Sequence, residues 1–585
     1  MNASAALSKY TLLFIVVFYA LVLSSYGINY VLTWDVFGYY LYLPATFIYG
    51  DPFFNDLSWI QSVINEHKNT STLYQIVKTN MGHTGKYPIG LSILYSPFFL
   101  IAHLVTKLMG GTADGFSAAY NVAINVATWT YSMASLVLLR KALLRMFSDA
   151  VVAWVLLAVF LGTNLFHQII GAAGMPHVIL FFLYSVALYF ITMNQRSGVQ
   201  NLLLGFTFGL MIIARPTDGL VLLLWAFWNY RGGSIFKYGI ECLKDYHRWA
   251  YTVIALFSVI SVQMLYWWKS AGTPVFYSYN NPGEGFDFLK PHLLDFMLSF
   301  RKGWLVYTPI MFCALIGMAF LKRTEHRFSL ILYSTLYIYL VASWSCWWYA
   351  SSFGNRGIVQ AYALFAVPLG TLAAEVFRKK SGRAVLWMVS ALFICLNVFQ
   401  TWQLEHDLIH PSRMTKAAYK ATLLQFKEPS NFKSLLMLDR DSLMVRDTHS
   451  YTTSAVMEVD CADELDEGRE FLNVLIEPLN KLTSDELVWV DLKAEARMTA
   501  DSASPARLIF SIEHDGEYAR QSFDLDDIKR GESEDGWSEI QASYLTPYLR
   551  SPHDNLKVYF WQEDEGSSSF RNCRITIRER QNHVR

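Results

Sequence analysis

Ten apolar stretches of roughly 20 residues recur along the first 402 residues of this chain, at about 11–32, 88–109, 117–139, 151–170, 176–194, 249–268, 304–321, 328–346, 357–376 and 383–402. A helix of that length and character crosses about 30 Å of hydrocarbon. So many of them exceed what one soluble core could bury, and 53% hydrophobic residues over 585 positions excludes a soluble enzyme of ordinary type. The pattern predicts a polytopic α-helical membrane protein with about 10–12 spans. The first stretch follows Lys9, outlasts a signal-peptide core of about 7–15 residues and meets no small-residue cleavage site, so it reads as an uncleaved first helix. Around 200–230 the pattern breaks at Ala214-Arg215-Pro216-Thr217-Asp218, and each arm alone is short for a crossing. Broken helices are tolerated in a bilayer where their backbone lines a protein cavity.

Beyond residue 433 the hydropathy period shortens to two. Segments such as LVWVDLKAEARM, ARLIFSIEH, NLKVYFWQE and RNCRITIRE alternate apolar with polar residues between Gly, Asp, Ser and Pro clusters. This predicts a C-terminal antiparallel β-sandwich, jelly-roll-like, and a division into a membrane domain at 1–402, a juxtamembrane connector at 403–433 and a β domain at 434–585. The formal net charge of zero hides an asymmetry: from residue 430 onward there are 31 acidic and 18 basic residues, which leaves the membrane part basic. Basic loops orient a membrane protein and an acidic tail keeps a domain solvated, so neither pattern points to nucleic acid. The six cysteines, at 242, 313, 346, 395, 461 and 573, form no close pair of metal or redox type. They are expected to be unpaired, with a Cys461–Cys573 bridge open if the tail is extracytoplasmic.

Two long polar segments interrupt the membrane domain, at about 33–87 and 269–303, and long loops of that kind are usually functional. The first opens with Trp34-Asp35-Val36-Phe37-Gly38-Tyr39-Tyr40. An acid at a helix-to-loop junction can act as general base toward an acceptor hydroxyl or amine, while Trp34, Tyr39 and Tyr40 offer flat faces to a sugar or isoprenoid. An interfacial aromatic belt with Asp35 as a helix cap is the plainer alternative. The same loop ends in His83-Thr84-Gly85-Lys86-Tyr87-Pro88, where Lys86 could neutralise a phosphate or simply snorkel. His83 and Tyr87 are candidate substrate contacts beside it. Arg356, in Phe353-Gly354-Asn355-Arg356, is costly near a membrane unless it meets an anion, whether a phosphate leaving group or a carboxylate. In the second loop Arg301 and Lys302 are candidate phosphate contacts and Glu284 and Asp287 candidate substrate contacts, with no spacing that makes a metal motif. His167 and His177 read as packed structural histidines.

Taken together, Asp35 after the first helix, Lys86-Tyr87-Pro88-Ile89-Gly90 opening the second, the Ala-Arg-Pro-Thr break and Ser352-Phe353-Gly354-Asn355-Arg356 resemble the GT-C superfamily of membrane glycosyltransferases over about residues 1–425. That group includes protein O-mannosyltransferases, lipid A aminoarabinose transferases and bacterial polyprenyl-phosphate-sugar glycosyltransferases. The resemblance implies inverting transfer of a sugar from a polyprenyl-phosphate donor to a glycan, lipid or protein acceptor on the extracytoplasmic face. It casts Asp35 as the catalytic acid-loop residue, Lys86 as a phosphate contact and, more loosely, Arg356 as another. It further implies a bacterial inner (plasma) membrane location with the C-terminal domain extracytoplasmic. No cofactor is required on this reading, and a divalent metal ion is left open. Two departures leave the acceptor class unassigned: Val36 stands where the mannosyltransferase pattern has a second acid, and Lys86-Tyr87-Pro88 replaces its His-Pro-Pro.

The β domain resembles carbohydrate-binding jelly rolls through Trp537, Tyr559 and Trp561, although aromatics at alternating positions are more often core. A polytopic lipid or glycan transporter or flippase with a carbohydrate-binding accessory domain is the alternative function. It predicts charges spread along a path through the bilayer and internal repeats; the sequence shows no repeat and few charges within the spans.

Overall fold

The computed structural model describes residues 6–580 except 245, 280–283, 322–325, 438–439, 441–443, 445–450, 466–469, 484, 486, 499–505, 515–516, 532–534, 548, 550–552 and 563–566. The chain forms two compact units: Met1–Tyr279 with Phe286–Leu436, and Met437–Arg585 with Asn280–Gly285.

The first unit is helical. Among the described residues, six helices are long and apolar enough to cross a membrane: Leu7–Ser25, Gly90–Leu108, Ala118–Leu143, Trp249–Ala271, Arg356–Val376 and Lys380–Glu405. Six shorter apolar helices accompany them, among them Pro176–Ile191, Gly198–Ala214 and Arg327–Ala342. The chain is an integral membrane protein, as the apolar periodicity requires.

Local chemistry explains where these helices begin and how closely they approach. Ser197 caps the helix Gly198–Ala214 through a reciprocal box with Gln200. Within that helix Gly205 and Gly209 lie one turn apart and face Tyr246–Ala271. A Cβ at Gly205 would run into the Thr252 carbonyl, and one at Gly209 would lie 2.6 Å from the Val259 Cβ. Small residues at this spacing let two backbones meet, which is how helices associate where lipid removes the hydrophobic drive.

One expected span needs correction. The stretch 304–321 is not one span: Thr308-Pro309-Ile310 separates Trp304–Tyr307 from the ten-residue helix Met311–Phe320, because proline cannot continue the preceding helix. The break at Pro216–Leu220 buries Asp218 completely. Its Oδ1 accepts hydrogen bonds from the hydroxyls of Tyr184 and Tyr337, both at 2.8 Å.

The segment 33–87 is folded. It contains the short helices Trp34–Tyr40, Tyr42–Phe47 and Ser58–His67, then an antiparallel hairpin of β1 (Ile76–Thr79) and β2 (Gly82–Gly85). The connector after Glu405 belongs to the membrane unit. Its Ile409, Met414, Ala418 and Phe432 pack with Tyr307 and Phe353.

Among its described residues the second unit has ten strands: β3 (Tyr451–Val459), β4 (Asp463–Leu465), β5 (Phe471–Pro478), β6 (Trp489–Met498), β7 (Arg507–Glu513), β8 (Glu517–Asp524), β9 (Lys529–Arg530), β10 (Ser538–Leu545), β11 (Asn555–Trp561) and β12 (Ser568–Arg580). One sheet runs β3-β12-β6-β10-β9 with β4 beside β12, and the other runs β5-β11-β7-β8. Alternation puts Val490, Leu492, Ala494 and Ala496 of β6 into the same core as Leu508, Phe510 and Ile512 of β7, so the two sheets enclose one hydrophobic layer. Cys461 and Cys573 are disulfide-bonded, with Cα atoms 5.8 Å apart, which corrects the expectation of unpaired thiols. The pairing of β12 with β3 puts Cys573 opposite Val459, close to Cys461, a proximity that cysteine spacing alone could not reveal. The guanidinium groups of Arg497 and Arg571 stand over the Trp537 ring at 5.2 and 4.1 Å, and that of Arg520 stands over the Trp561 ring. Tyr559 is only 7% exposed, beneath the Lys557 ammonium.

Candidate active site

The site is assembled from three segments far apart in sequence. The first follows the N-terminal membrane helix. Trp34 adopts φ +47°, an unfavourable region for an aromatic residue, and starts the short helix that carries Asp35 in its first turn. Gln75 Nε2 donates to the Trp34 carbonyl at 3.2 Å and fixes this corner. At Gly38 any Cβ would lie 2.7 Å from the Tyr87 ring, so glycine is required for the helix to pack against the second segment.

That second segment is the end of the β1–β2 hairpin. The Lys86 amide donates to the Gln75 carbonyl at 2.8 Å, and the Lys86 carbonyl accepts from the Ser278 hydroxyl at 2.5 Å. With its backbone held, Lys86 is 2% exposed, and its ammonium stands over the rings of Tyr74 and Tyr279 at 5.2 and 5.1 Å. Aromatic faces offset part of the cost of burying that charge.

The third segment is the turn before Arg356–Val376. Gly354 takes φ +56°, and Asn355 caps the next turn by accepting the Gly357 amide at 3.0 Å. Asn164 Nδ2 donates to the carbonyls of Phe353 and Asn355 at 3.1 and 2.9 Å. This frame aims Arg356 at the first segment.

There the three meet. Arg356 Nη2 lies 2.9 Å from Asp35 Oδ2, and the hydroxyls of Tyr87 and Tyr74 donate to Asp35 Oδ1 at 2.7 and 2.8 Å. Tyr74 thus touches both ionic groups, with its hydroxyl on Asp35 and its ring under Lys86. Burial by itself raises the Asp35 pKa, but the Arg356 charge and the hydrogen bonds from Tyr87, Tyr74 and Arg356 outweigh it and hold the carboxyl below its ordinary value. The side chain remains 27% exposed, which leaves it within reach of a substrate group.

Other candidates fall elsewhere. Trp34 is 52% exposed, with its ring stacked on Tyr74, so it lies at the edge of the cluster. Tyr39 is buried with its ring 4.1 Å from that of Tyr87, so it supports Tyr87 and does not face a substrate. Tyr40 is fully buried, with its hydroxyl on the Gly115 carbonyl, and belongs to the core. His83 sits half-buried in the hairpin opposite Lys78. Lys302 is buried with its ammonium on the carbonyls of Ser352 and Pro411 and on Ser352 Oγ. These contacts use all three ammonium donors, which makes it a tether for the Gly354 turn and not a phosphate ligand. Burial and the nearby Arg356 and Arg301 charges lower its pKa well below the usual lysine range. Arg301 packs its guanidinium on the Trp348 ring at 3.9 Å and donates to the Ser412 carbonyl. Asp287 Oδ2 bonds His292 at 3.0 Å and its amide bonds Ser343, which pins a local turn. Glu284 belongs to the second unit.

Sequence reading passed over Tyr74, which lies in a featureless polar stretch, and Arg215, whose signal was the helix break itself. Arg215 lies 3.4 Å from both the Gly357 carbonyl and the Tyr349 hydroxyl, beside the Arg356 turn. As for metals, Asp35 offers one carboxylate already held by a cation and two hydroxyls, a poor donor set for a divalent ion. Among the described residues, Glu66, His67 and Asp114 come within ligating distance of one another. There the backbone amides of Phe116 and Ser117 already occupy Asp114 Oδ1.

Fold and site together define a polytopic membrane protein with an acid held by an arginine and two tyrosines just beyond its first helix, and with a separate β-sandwich unit. Comparison with solved structures finds similarity to the archaeal oligosaccharyltransferase AglB from Archaeoglobus fulgidus in complex with an inhibitory peptide and a dolichol-phosphate, at 13% identity over 72% of this chain, with a TM-score of 0.38. It also finds similarity to ArnT from Cupriavidus metallidurans in the apo state, at 14% identity over 66% of this chain, with a TM-score of 0.39. The alignments span 60% and 62% of those two chains. No protein-family model and no curated protein matches the sequence.

Proposed function

We propose that this protein is a membrane glycosyltransferase of the GT-C type that moves a sugar from a polyprenyl-phosphate donor to an extracytoplasmic glycan, lipid or protein acceptor. The observation that carries the reading is the convergence of Asp35, Arg356 and, through the Tyr74 ring, Lys86 just past the first membrane helix. An acid and two cations at a bilayer surface suit a reaction that removes a proton from one reactant and develops negative charge on the other.

In this reading the acceptor hydroxyl or amine attacks the anomeric carbon while the Asp35 carboxylate takes its proton. The bond from that carbon to the phosphate oxygen breaks, and its electron pair leaves with the phosphate. Arg356 and Lys86 stabilise the growing charge. One in-line displacement inverts the anomeric configuration. The contact between Arg356 and Asp35 serves both halves: as the guanidinium turns toward the phosphate, Asp35 loses its counter-ion and its affinity for the incoming proton rises.

The Cys461–Cys573 disulfide supports an oxidising, extracytoplasmic compartment for the β unit. On this reading the membrane is the bacterial inner membrane. The direct test is a transfer assay in membranes containing the protein, using a panel of radiolabelled polyprenyl-phosphate sugars. Label passing from at least one donor to an acceptor, and none from membranes lacking the protein, is expected; no transfer from any donor in the panel rejects the reading.

A further inference from the structure

The helix Pro176–Ile191 has 16 residues and rises about 24 Å along its axis. Its first end adjoins the candidate active site, where Met175 Sδ lies 3.9 Å from Arg356 Nη1. Its last residue, Ile191, lines a cavity of about 220 Å³ at the opposite end of the membrane unit. Trp225, Trp249 and Tyr238 supply that cavity's aromatic wall, and Arg196, Glu241 and Cys242 its polar side. Arg196 is held in place, with Nε donating to Asn201 Oδ1 at 2.9 Å and Nη1 to the Phe190 carbonyl at 3.1 Å.

The outer wall is the helix Ile235–Lys244. Tyr238, Glu241 and Cys242, at i, i+3 and i+4, turn one face of it to the cavity. Phe236 and Ile240 lie on the other face, 80% and 45% exposed. Exposed Lys237 and Lys244 lie along one edge of that apolar strip. An apolar strip bordered by lysines marks a helix that lies in the plane of the membrane interface. Tryptophans favour the same depth, so the cavity behind the helix opens among lipid headgroups. Arg196 lines the cavity together with Glu241, and the segment 231–245 that carries the outer wall holds Arg231, Lys237 and Lys244 against Glu241 and Asp245, so that with Arg196 the basic residues outnumber the acidic ones in favour of an anion.

We propose that this cavity binds the headgroup of an anionic phospholipid, with the phosphodiester on Arg196 and a headgroup hydroxyl on Glu241. The site is independent of the transfer chemistry and lies in the leaflet away from Asp35. Phosphatidylglycerol has both groups and is the probe of choice.

Native mass spectrometry of the full-length protein, exchanged from mixed phosphatidylglycerol and phosphatidylcholine into detergent, reads retention directly. The wild type is expected to keep one phosphatidylglycerol, and Cys242→Phe, which fills the cavity from a surface helix, to lose it. Cys242→Ser, which leaves the cavity open, is expected to keep it. Lys237→Gln and Lys244→Gln are each expected to weaken retention about fivefold. Equal retention of the two lipids, retention by Cys242→Phe, or loss by Cys242→Ser overturns the proposal. Displacement of the lipid by millimolar inorganic phosphate overturns it as well, since it would assign the cavity to a soluble phosphate compound.

Discussion

Asp35→Asn separates a catalytic role for this residue from a structural one. Asparagine keeps the size of the side chain and an oxygen for the hydroxyls of Tyr74 and Tyr87, which donate at 2.8 and 2.7 Å, but it removes the charge facing Arg356 at 2.9 Å. The stability lost is that of one charge-assisted bond, about 1.5–3 kcal/mol in a buried setting. With side chains 15% and 27% exposed, solvent screening brings the figure toward the lower end. The transfer rate is expected to fall far more, by about 10²–10⁴-fold for loss of a general base, or roughly 2.7–5.5 kcal/mol of barrier. The assay is initial-rate transfer from a radiolabelled polyprenyl-phosphate sugar in membranes, with thermal unfolding of the same preparations in detergent as the stability measure. Undiminished transfer refutes Asp35 as the base. A rate loss no larger than the stability loss assigns it a structural role only.

Four further outcomes are expected. Tyr87→Phe removes one donor to the Asp35 carboxylate. That carboxylate stays ionised down through the ordinary carboxylate range and gains its proton only as pH falls through its depressed value, so the acidic limb of the kcat/KM profile should move to higher pH. Arg356→Lys replaces a planar fork with a point charge, and kcat/KM for the donor should drop about 10–100-fold with less effect on unfolding temperature. Gly205→Leu forces a side chain into the Thr252 carbonyl and should cost about 1–3 kcal/mol or more, read as a lower unfolding temperature in detergent. Replacing Cys461 and Cys573 by serine opens a cross-link between residues 112 apart in sequence, worth up to about 4.7 kcal/mol on chain-entropy grounds. Limited proteolysis should then cut the β unit faster without reducing agent, as it should cut the wild type once reduced.

Hydropathy period alone carried the sequence to a helical membrane unit and a β-rich tail, because a bilayer demands long apolar helices and a half-buried strand demands alternation. It also marked Asp35, Lys86 and Arg356, since charge at a membrane surface is costly and therefore conspicuous. It could not show that Lys302 spends its ammonium on the Ser352 and Pro411 carbonyls, or that Tyr40 turns into the core. Tyr74 carried no signal at all, although it joins the acid to the lysine. Cys461 and Cys573 looked unpaired until strand register brought them together.

The physical reason is common to these cases. Partition between lipid, core and water is a property of each short segment and is written locally along the chain. Which hydroxyl donates to which carboxylate depends on the approach of residues 35, 74, 87 and 356, and only packing fixes that approach: Gly38 against Tyr87, the hairpin against Gln75, and the Asn355 cap before Arg356. The sequence by itself determined that this chain enters a membrane and carries charge at its surface. The tertiary structure decided that an acid and an arginine more than 300 residues away meet as one site.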